Sequence, residues 1–193
     1  MTLSTRRILY ASHEQQLQKY VDDGRCWVAT TTTPGPANDD DGGQIVVAYL
    51  LASRVDGTAH VEQVSVNPTA ARRDLGAALI DHPAAWAAAQ DLSALTLTTF
   101  ADGPWNAPYY RRIGFRKLES HEVGEALCEI RKLEGGRGLD RWPRMCMRRE
   151  LLVPVGCGPV TYVGWFTWIR LVCSFSRFRR FLGALELWQD SGP

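Results

Sequence analysis

The sequence predicts an α/β domain built on a mixed sheet. Three observations predict it. Two β-rich runs flank Asp56-Gly57, a long helical stretch follows them, and short strand-like and helix-like segments then alternate to residue 151.

Taken in order, Glu14–Asp23 places Leu17, Tyr20 and Val21 at helical spacing. Cys26–Thr31 is β-rich, and Thr33–Gly43 (TPGPANDDDGG) reads as a polar loop whose acidic run is solvated. Gln44–Arg54 and His60–Val66 read as consecutive strands. The Asp-Gly pair between them suits the positive-φ geometry of a tight hairpin turn. After a turn at Asn67-Pro68, a helix is expected from about Arg72 to Gln90, with Leu75, Ala78, Leu79 and Trp86 on one face. Pro83 interrupts it. A proline inside a helix removes a hydrogen bond and clashes with the preceding turn, costing roughly 3 kcal/mol, so a kink or break is expected near His82. Leu95–Thr99 is a short strand and Trp105–Ile113 a short helix, ended by Gly114-Phe115, which starts another strand. Glu122–Leu133 reads as a helix and Met145–Leu151 as a last strand. This divides the chain into a domain over residues 1–151 and an appendage over 152–193, where a helix near Ser174–Trp188 is the one regular candidate.

Composition bounds the function. With 193 residues, 45% of them hydrophobic and 22% charged, the chain fits a soluble globular domain. Its 22 basic and 21 acidic residues give a net charge of +1, so nucleic acid is not an expected partner. The cysteines at 26, 128, 146, 157 and 173 are odd in number and form no CxxC pair. A disulfide framework or metal site is therefore not expected, and a reducing, cytoplasmic location is. The start, MTLSTRRILYASHEQQ, has no apolar run of signal-peptide length. Leu151–Ile169 is uncharged over 19 residues, a length that just spans a bilayer, yet it contains Pro154, Pro159, Gly156, Gly158 and Gly164. A membrane anchor is therefore disfavoured. No feature of the sequence sets an oligomeric state.

Two stretches carry chemistry. In HVEQVSVNPTAARRDLGAALI a strand ends, the chain turns, and a basic loop opens a helix. The first turn of a helix offers unpaired N–H groups and partial positive charge, and Arg72 and Arg73 add two full charges, so an anion such as a pyrophosphate is matched there. The second stretch is WNAPYYRRIGF, one strand further on. Together, in this order and spacing, the two stretches resemble motifs A and B of the GNAT superfamily of N-acetyltransferases, over roughly residues 26–151.

The resemblance implies a mostly antiparallel sheet flanked by helices, with two parallel strands splayed around acetyl-CoA as co-substrate. These would be the strand ending Gln63-Val64-Ser65-Val66 and the strand Leu95–Thr99. Backbone groups of Val64 and Val66 would pair with the pantetheine arm. The N–H groups of Arg73, Asp74, Leu75, Gly76 and Ala77 would hold the pyrophosphate. Asn106 matches a polar residue that contacts the cofactor arm, and Tyr110 matches a tyrosine that protonates the leaving thiolate. The acceptor would be a primary amine of a small molecule or peptide, attacking the thioester directly. A general base helps an amine attack. Glu62, on the same strand face as Val64, is the first candidate if a partly dry cleft surrounds it, and His60 is the second.

Plainer roles remain open at each position: a solvated helix start for Arg72 and Arg73, close helix packing for Gly76, a core aromatic for Tyr110, an N-cap for Asn106 and an exposed strand carboxylate for Glu62. The sequence also departs from the motif. Ala71 stands where Gln or Arg is usual and Asp74 where the first glycine is usual. Asp74 brings a negative charge to the phosphate loop and is expected to weaken binding by charge, and by capping the same N–H groups. Only about 25 residues precede Cys26, fewer than such a domain normally uses to roof the acceptor site. The alternative is therefore a degenerate module that binds CoA or a partner without turnover. A Rossmann domain is not expected, because no GxGxxG follows a first strand.

Overall fold

A computed structural model describes residues 16–32 and 44–151. In chain order these form α1 (residues 16–22), β1 (Cys26–Thr32), β2 (Gln44–Val55), β3 (Thr58–Val66), α2 (Leu75–Ala88), β4 (Ala94–Phe100), α3 (Ala107–Arg112), β5 (Arg116–Lys117), α4 (Glu125–Gly136) and β6 (Arg144–Glu150). The loop Thr33–Gly43, the run 152–169, the candidate helix Ser174–Trp188, His13, Cys157 and Cys173 lie outside the described residues. The strands follow the order β1-β2-β3-β4-β6-β5. β1 with β2, β4 with β6 and β5 with β6 are antiparallel, and β3 with β4 is parallel. The mixed, mostly antiparallel sheet with helices is the fold class the sequence predicts.

The hairpin forms as expected. Asp56 and Gly57 both take positive φ, +48° and +68°, the pairing that lets a two-residue turn follow the strand twist.

The described residues fall into two compact units, whose boundaries lie inside β2, β3 and α2. The first holds α1, β1, residues 44–51 and Val64–Leu79. Its core packs Leu17 of α1 with Val28, Val46, Tyr49 and Leu51, edged by Tyr20 and Cys26. The second holds Ala52–Gln63 and Ile80 onward. There Val55, Leu118, Leu127 and Cys146 form a core, with Val123 and Ile130 against it.

Two expectations about α2 are corrected. The helix starts at Leu75, not at Arg72, because Arg72 (φ +61°) and Asp74 (φ +55°) have left-handed backbones that no right-handed helix accommodates. Of the kink or break expected near His82, the break does not occur: α2 runs unbroken to Ala88 with Pro83 inside it. Leu79, Ile80, Pro83 and Ala87 are all buried at helical spacing, so packing of that face offsets the missing hydrogen bond. Among the described residues, no helix is long and apolar enough to cross a membrane.

Candidate functional site

The phosphate-loop candidates lie in the first unit as one continuous stretch. β3 ends at Val66, and the Asn67 side chain accepts from the Thr69 backbone N–H at 3.0 Å, starting a 3-10 turn over Pro68–Ala70. Arg72, Arg73 and Asp74 follow, all exposed. The Asp74 carbonyl accepts from the Ala78 N–H at 3.0 Å, so Asp74 is the residue at which α2 begins. Its carboxylate does not cap the helix, contrary to expectation. Among the described residues it makes no hydrogen bond, and the N–H groups of Leu75, Gly76 and Ala77 have no backbone partner. The reason is geometric: a capping side chain needs an extended backbone, and φ of +55° turns the Asp74 side chain elsewhere. The loop therefore keeps three open donors and two guanidinium groups against one carboxylate. That donor set fits a phosphate or pyrophosphate. Gly76 sits within the first turn of α2 without positive φ.

The other candidates lie in the second unit. Parallel pairing of β3 with β4 joins Ala59, His60 and Val61 to Leu95, Thr96 and Leu97 and goes no further. Glu62 and Gln63 continue β3 without a β4 partner, and the strand changes from buried to exposed at the same point. Glu62 is thus exposed, and its Oε1 accepts from Ser53 Oγ at 2.6 Å. The dry surroundings expected of Glu62 are absent, because burial ends where the strand pairing ends.

His60 is buried instead. Its Nδ1 lies 3.1 Å from Thr96 Oγ1, which lies 3.0 Å from Thr58 Oγ1, and Thr58 donates to the Val55 carbonyl at 2.7 Å. Each hydroxyl has one proton. Thr58 gives its own to Val55, so Thr96 must donate to Thr58, and His60 Nδ1–H must donate to Thr96. Counting protons therefore assigns the tautomer, and the lone pair of the neutral ring is on Nε2. Burial lowers the His60 pKa, opposed in part by the charges of Glu62 and Glu134.

Asn106 and Tyr110 meet at α3. The Asn106 carbonyl accepts from the Tyr110 N–H at 3.1 Å, which places Asn106 at the N-cap. Its side chain does not cap; Nδ2 donates back to the Asp102 carbonyl at 3.2 Å. Tyr110 is half-buried, with edge-to-face contacts to Tyr109 at 5.3 Å and to Phe115 at 5.7 Å. Burial pushes its phenol up to about 12, with Tyr109 adding to the shift. The hydroxyl is therefore protonated at neutral pH.

Sequence reasoning missed Ser53 and the Thr58–Thr96–His60 chain. The signal for Ser53 was available, since a two-residue turn at Asp56-Gly57 brings the end of β2 beside β3. The threonine chain had none, because it depends on β3 lying next to β4 across more than thirty residues.

An α/β domain with this strand order, one parallel pair that ends early and a basic turn into a helix has the GNAT fold. The model of the acetyltransferase (GNAT) family matches residues 4–115, more than half of the 193, and the chain belongs to that family. Solved structures are similar to it at low identity. A Bacillus anthracis str. Ames protein, assigned as a streptothricin acetyltransferase and bound to acetyl coenzyme A, shares 14% identity over 54% of this chain and 56% of its own, with a TM-score of 0.42. A GNAT-family acetyltransferase of Staphylococcus aureus shares 15% over 56% of this chain and 65% of its own, with a TM-score of 0.44. N-acetylglutamate synthase of Neisseria gonorrhoeae, complexed with coenzyme A and N-acetyl-glutamate, shares 17% over 58% of this chain and 24% of its own, with a TM-score of 0.43. The chain spans less than two thirds of the length of each.

Proposed function

We propose that the chain is an acyltransferase that moves acetyl from acetyl-CoA to a primary amine of a small molecule or peptide. The observation that carries the reading is the turn at Arg72–Ala77, with two arginines and three open N–H donors at the start of α2. Family membership supports acetyl-CoA as the donor. Val64, Ser65 and Val66 would extend main-chain bonds to the pantetheine arm, as an added strand does. Asn106 would contact that arm.

In the reaction, the amine nitrogen forms its bond to the acetyl carbon as the carbon–sulfur bond breaks. Glu62, exposed and held by Ser53, takes the amine proton directly or through water. Tyr110 faces the departing sulfur. A phenol near 12 stands more than three pH units above an ordinary thiol (~8.5), so full proton transfer to the sulfur costs roughly 4–5 kcal/mol. Tyr110 therefore acts first as a hydrogen-bond donor that stabilises developing charge on sulfur. The catalytic domain comprises residues 1–151, with 152–193 as an appendage. The odd number of cysteines, with no CxxC pair, supports a reducing, cytoplasmic setting.

The test is thiol release from acetyl-CoA across a panel of amines, with a thermal shift in parallel. Acetyl-CoA at 100 times its Kd should stabilise the protein by about 2.7 kcal/mol. No shift at millimolar ligand would sink the reading. A second reading is favoured by one observation, the carboxylate of Asp74 in the phosphate turn, unpaired among the described residues: a CoA- or partner-binding module without turnover. A clear thermal shift with no thiol release for any amine would select it.

A further inference from the structure

We propose that Arg149 is a positioning residue that fixes the Tyr110 ring, and so acts on turnover more than on acetyl-CoA binding. The inference rests on the role given to Tyr110 above.

Arg149 comes from β6, and its side chain is only 17% exposed. Its guanidinium serves four points at once. Nη1 donates to the Ile113 carbonyl at 3.3 Å. Nη2 donates to the Ile80 carbonyl at 3.4 Å and lies 3.1 Å from Asp81 Oδ1. Cζ lies 5.4 Å from the centre of the Phe115 ring.

Two of those points are tied to Tyr110. The Tyr110 carbonyl accepts from the N–H groups of both Ile113, at 3.2 Å, and Phe115, at 3.0 Å. The Phe115 ring also meets the Tyr110 ring edge to face. Between them Gly114 turns the chain at φ +92°, and a Cβ there would stand 3.3 Å from Arg149 Cδ, so the arginine stem runs directly against the turn. α3 has only six residues and no packing length of its own to hold its end.

An apolar side chain of similar length would fill this space without the desolvation penalty that a nearly buried guanidinium carries. What it would lack is the planar fork that holds two carbonyls from different elements in fixed relation while stacking on Phe115. The arrangement points to retention of the arginine for geometry. A misplacement of about 1 Å in a reacting group costs up to about 10²-fold in rate.

The experiment is a double-mutant cycle on the full chain, with thiol release giving kcat and KM for acetyl-CoA. Arg149→Met should lower kcat about tenfold or more while KM changes less than about twofold. In a Tyr110→Phe background the same change should cost little further, because the group it positions is gone. Arg149→Lys, which keeps one donor but not the fork, should fall between, and it carries the cycle if the Met variant does not fold. A kcat loss as large in the Phe background as in the wild type would overturn the inference and leave the role of Tyr110 standing. An unchanged kcat in Tyr110→Phe alone would remove that role and the inference together.

Discussion

The carbonyl of Asp74 accepts the backbone N–H of Ala78 at 3.0 Å, from a residue whose φ is +55°. Glycine takes that backbone freely, and Asp is among the few other residues that tolerate it. The turn therefore keeps the glycine-like shape that opens α2 and carries a charge that glycine would not. At an exposed position, like charges a few ångströms apart repel by about 1 kcal/mol, or about fivefold in affinity. Asp74→Gly and Asp74→Asn should each tighten acetyl-CoA binding by about that factor in calorimetric titration. Asn removes the charge and still tolerates the left-handed backbone, so it isolates the electrostatic effect. Equal dissociation constants for all three proteins would show that this carboxylate never meets the phosphates.

Tyr110 should matter to rate and not to folding at neutral pH. Tyr110→Phe keeps both ring contacts and removes the donor, so kcat should fall about 10²-fold with little change in thermal midpoint. A second signature follows from the phenol near 12, raised by burial above its ordinary value of 10.0. Between those values the folded chain holds a proton that the unfolded chain has released. Stability is therefore full below pH 10 and declines as pH rises toward 12. Urea midpoints from pH 9 upward should fall less steeply in Tyr110→Phe. Parallel curves would mean that the phenol is not buried as described.

The sequence carried the hairpin and the helix order because each is set by local chemistry. Asp56-Gly57 shows this most directly, since its positive-φ turn depends on two adjacent residues. Pro83 shows the opposite case. The local penalty for a proline inside a helix is real, but the buried face through Leu79, Ile80 and Ala87 overrides it, and burial is a tertiary fact. The site followed the same division. That Arg72, Arg73 and Gly76 lie together around the start of α2 was legible because they are near neighbours in sequence. The exposure of Glu62 was not, because it depends on β3 losing its parallel partner after Val61. Arg149 was silent, since a basic residue at the end of a strand looks solvated until α2 and α3 are packed around it.

His60 should make the protein acid-sensitive. Burial lowers its pKa, so the folded chain resists a proton that the unfolded chain accepts near 6.5. Its stabilising effect is complete above that value and is lost as pH falls through the folded pKa. His82 is half-buried and shifted the same way by burial, with Asp81 opposing, and it adds to the trend. Urea midpoints should therefore drop between pH 7 and pH 5. His60→Gln, which retains a donor for Thr96, should lower the midpoint at pH 7 but flatten its dependence on pH. An unaltered slope would place the acid sensitivity elsewhere.

The N-terminal end of α4 is left uncapped by its own residues. Gly124 occupies the N-cap of α4 and has no side chain to offer. Asp56, from the hairpin turn about seventy residues earlier, supplies one: Oδ1 accepts from the Ala126 N–H at 3.2 Å and Oδ2 from the Leu127 N–H at 2.9 Å. A Cβ on Gly124 would overlap that carboxylate, so glycine here is the condition for the borrowed cap. Asp56→Gly keeps the positive-φ turn and removes only the cap, which should cost about 1 kcal/mol. For a chain of this size that is a fall of about 2–4 °C in Tm. Gly124→Ala should cost a similar amount by displacing Asp56. Made together, the two changes should cost less than their sum by about 1 kcal/mol, because the clash and the cap involve the same carboxylate. Strict additivity in the melting curves would mean that Asp56 and α4 do not hold each other in solution.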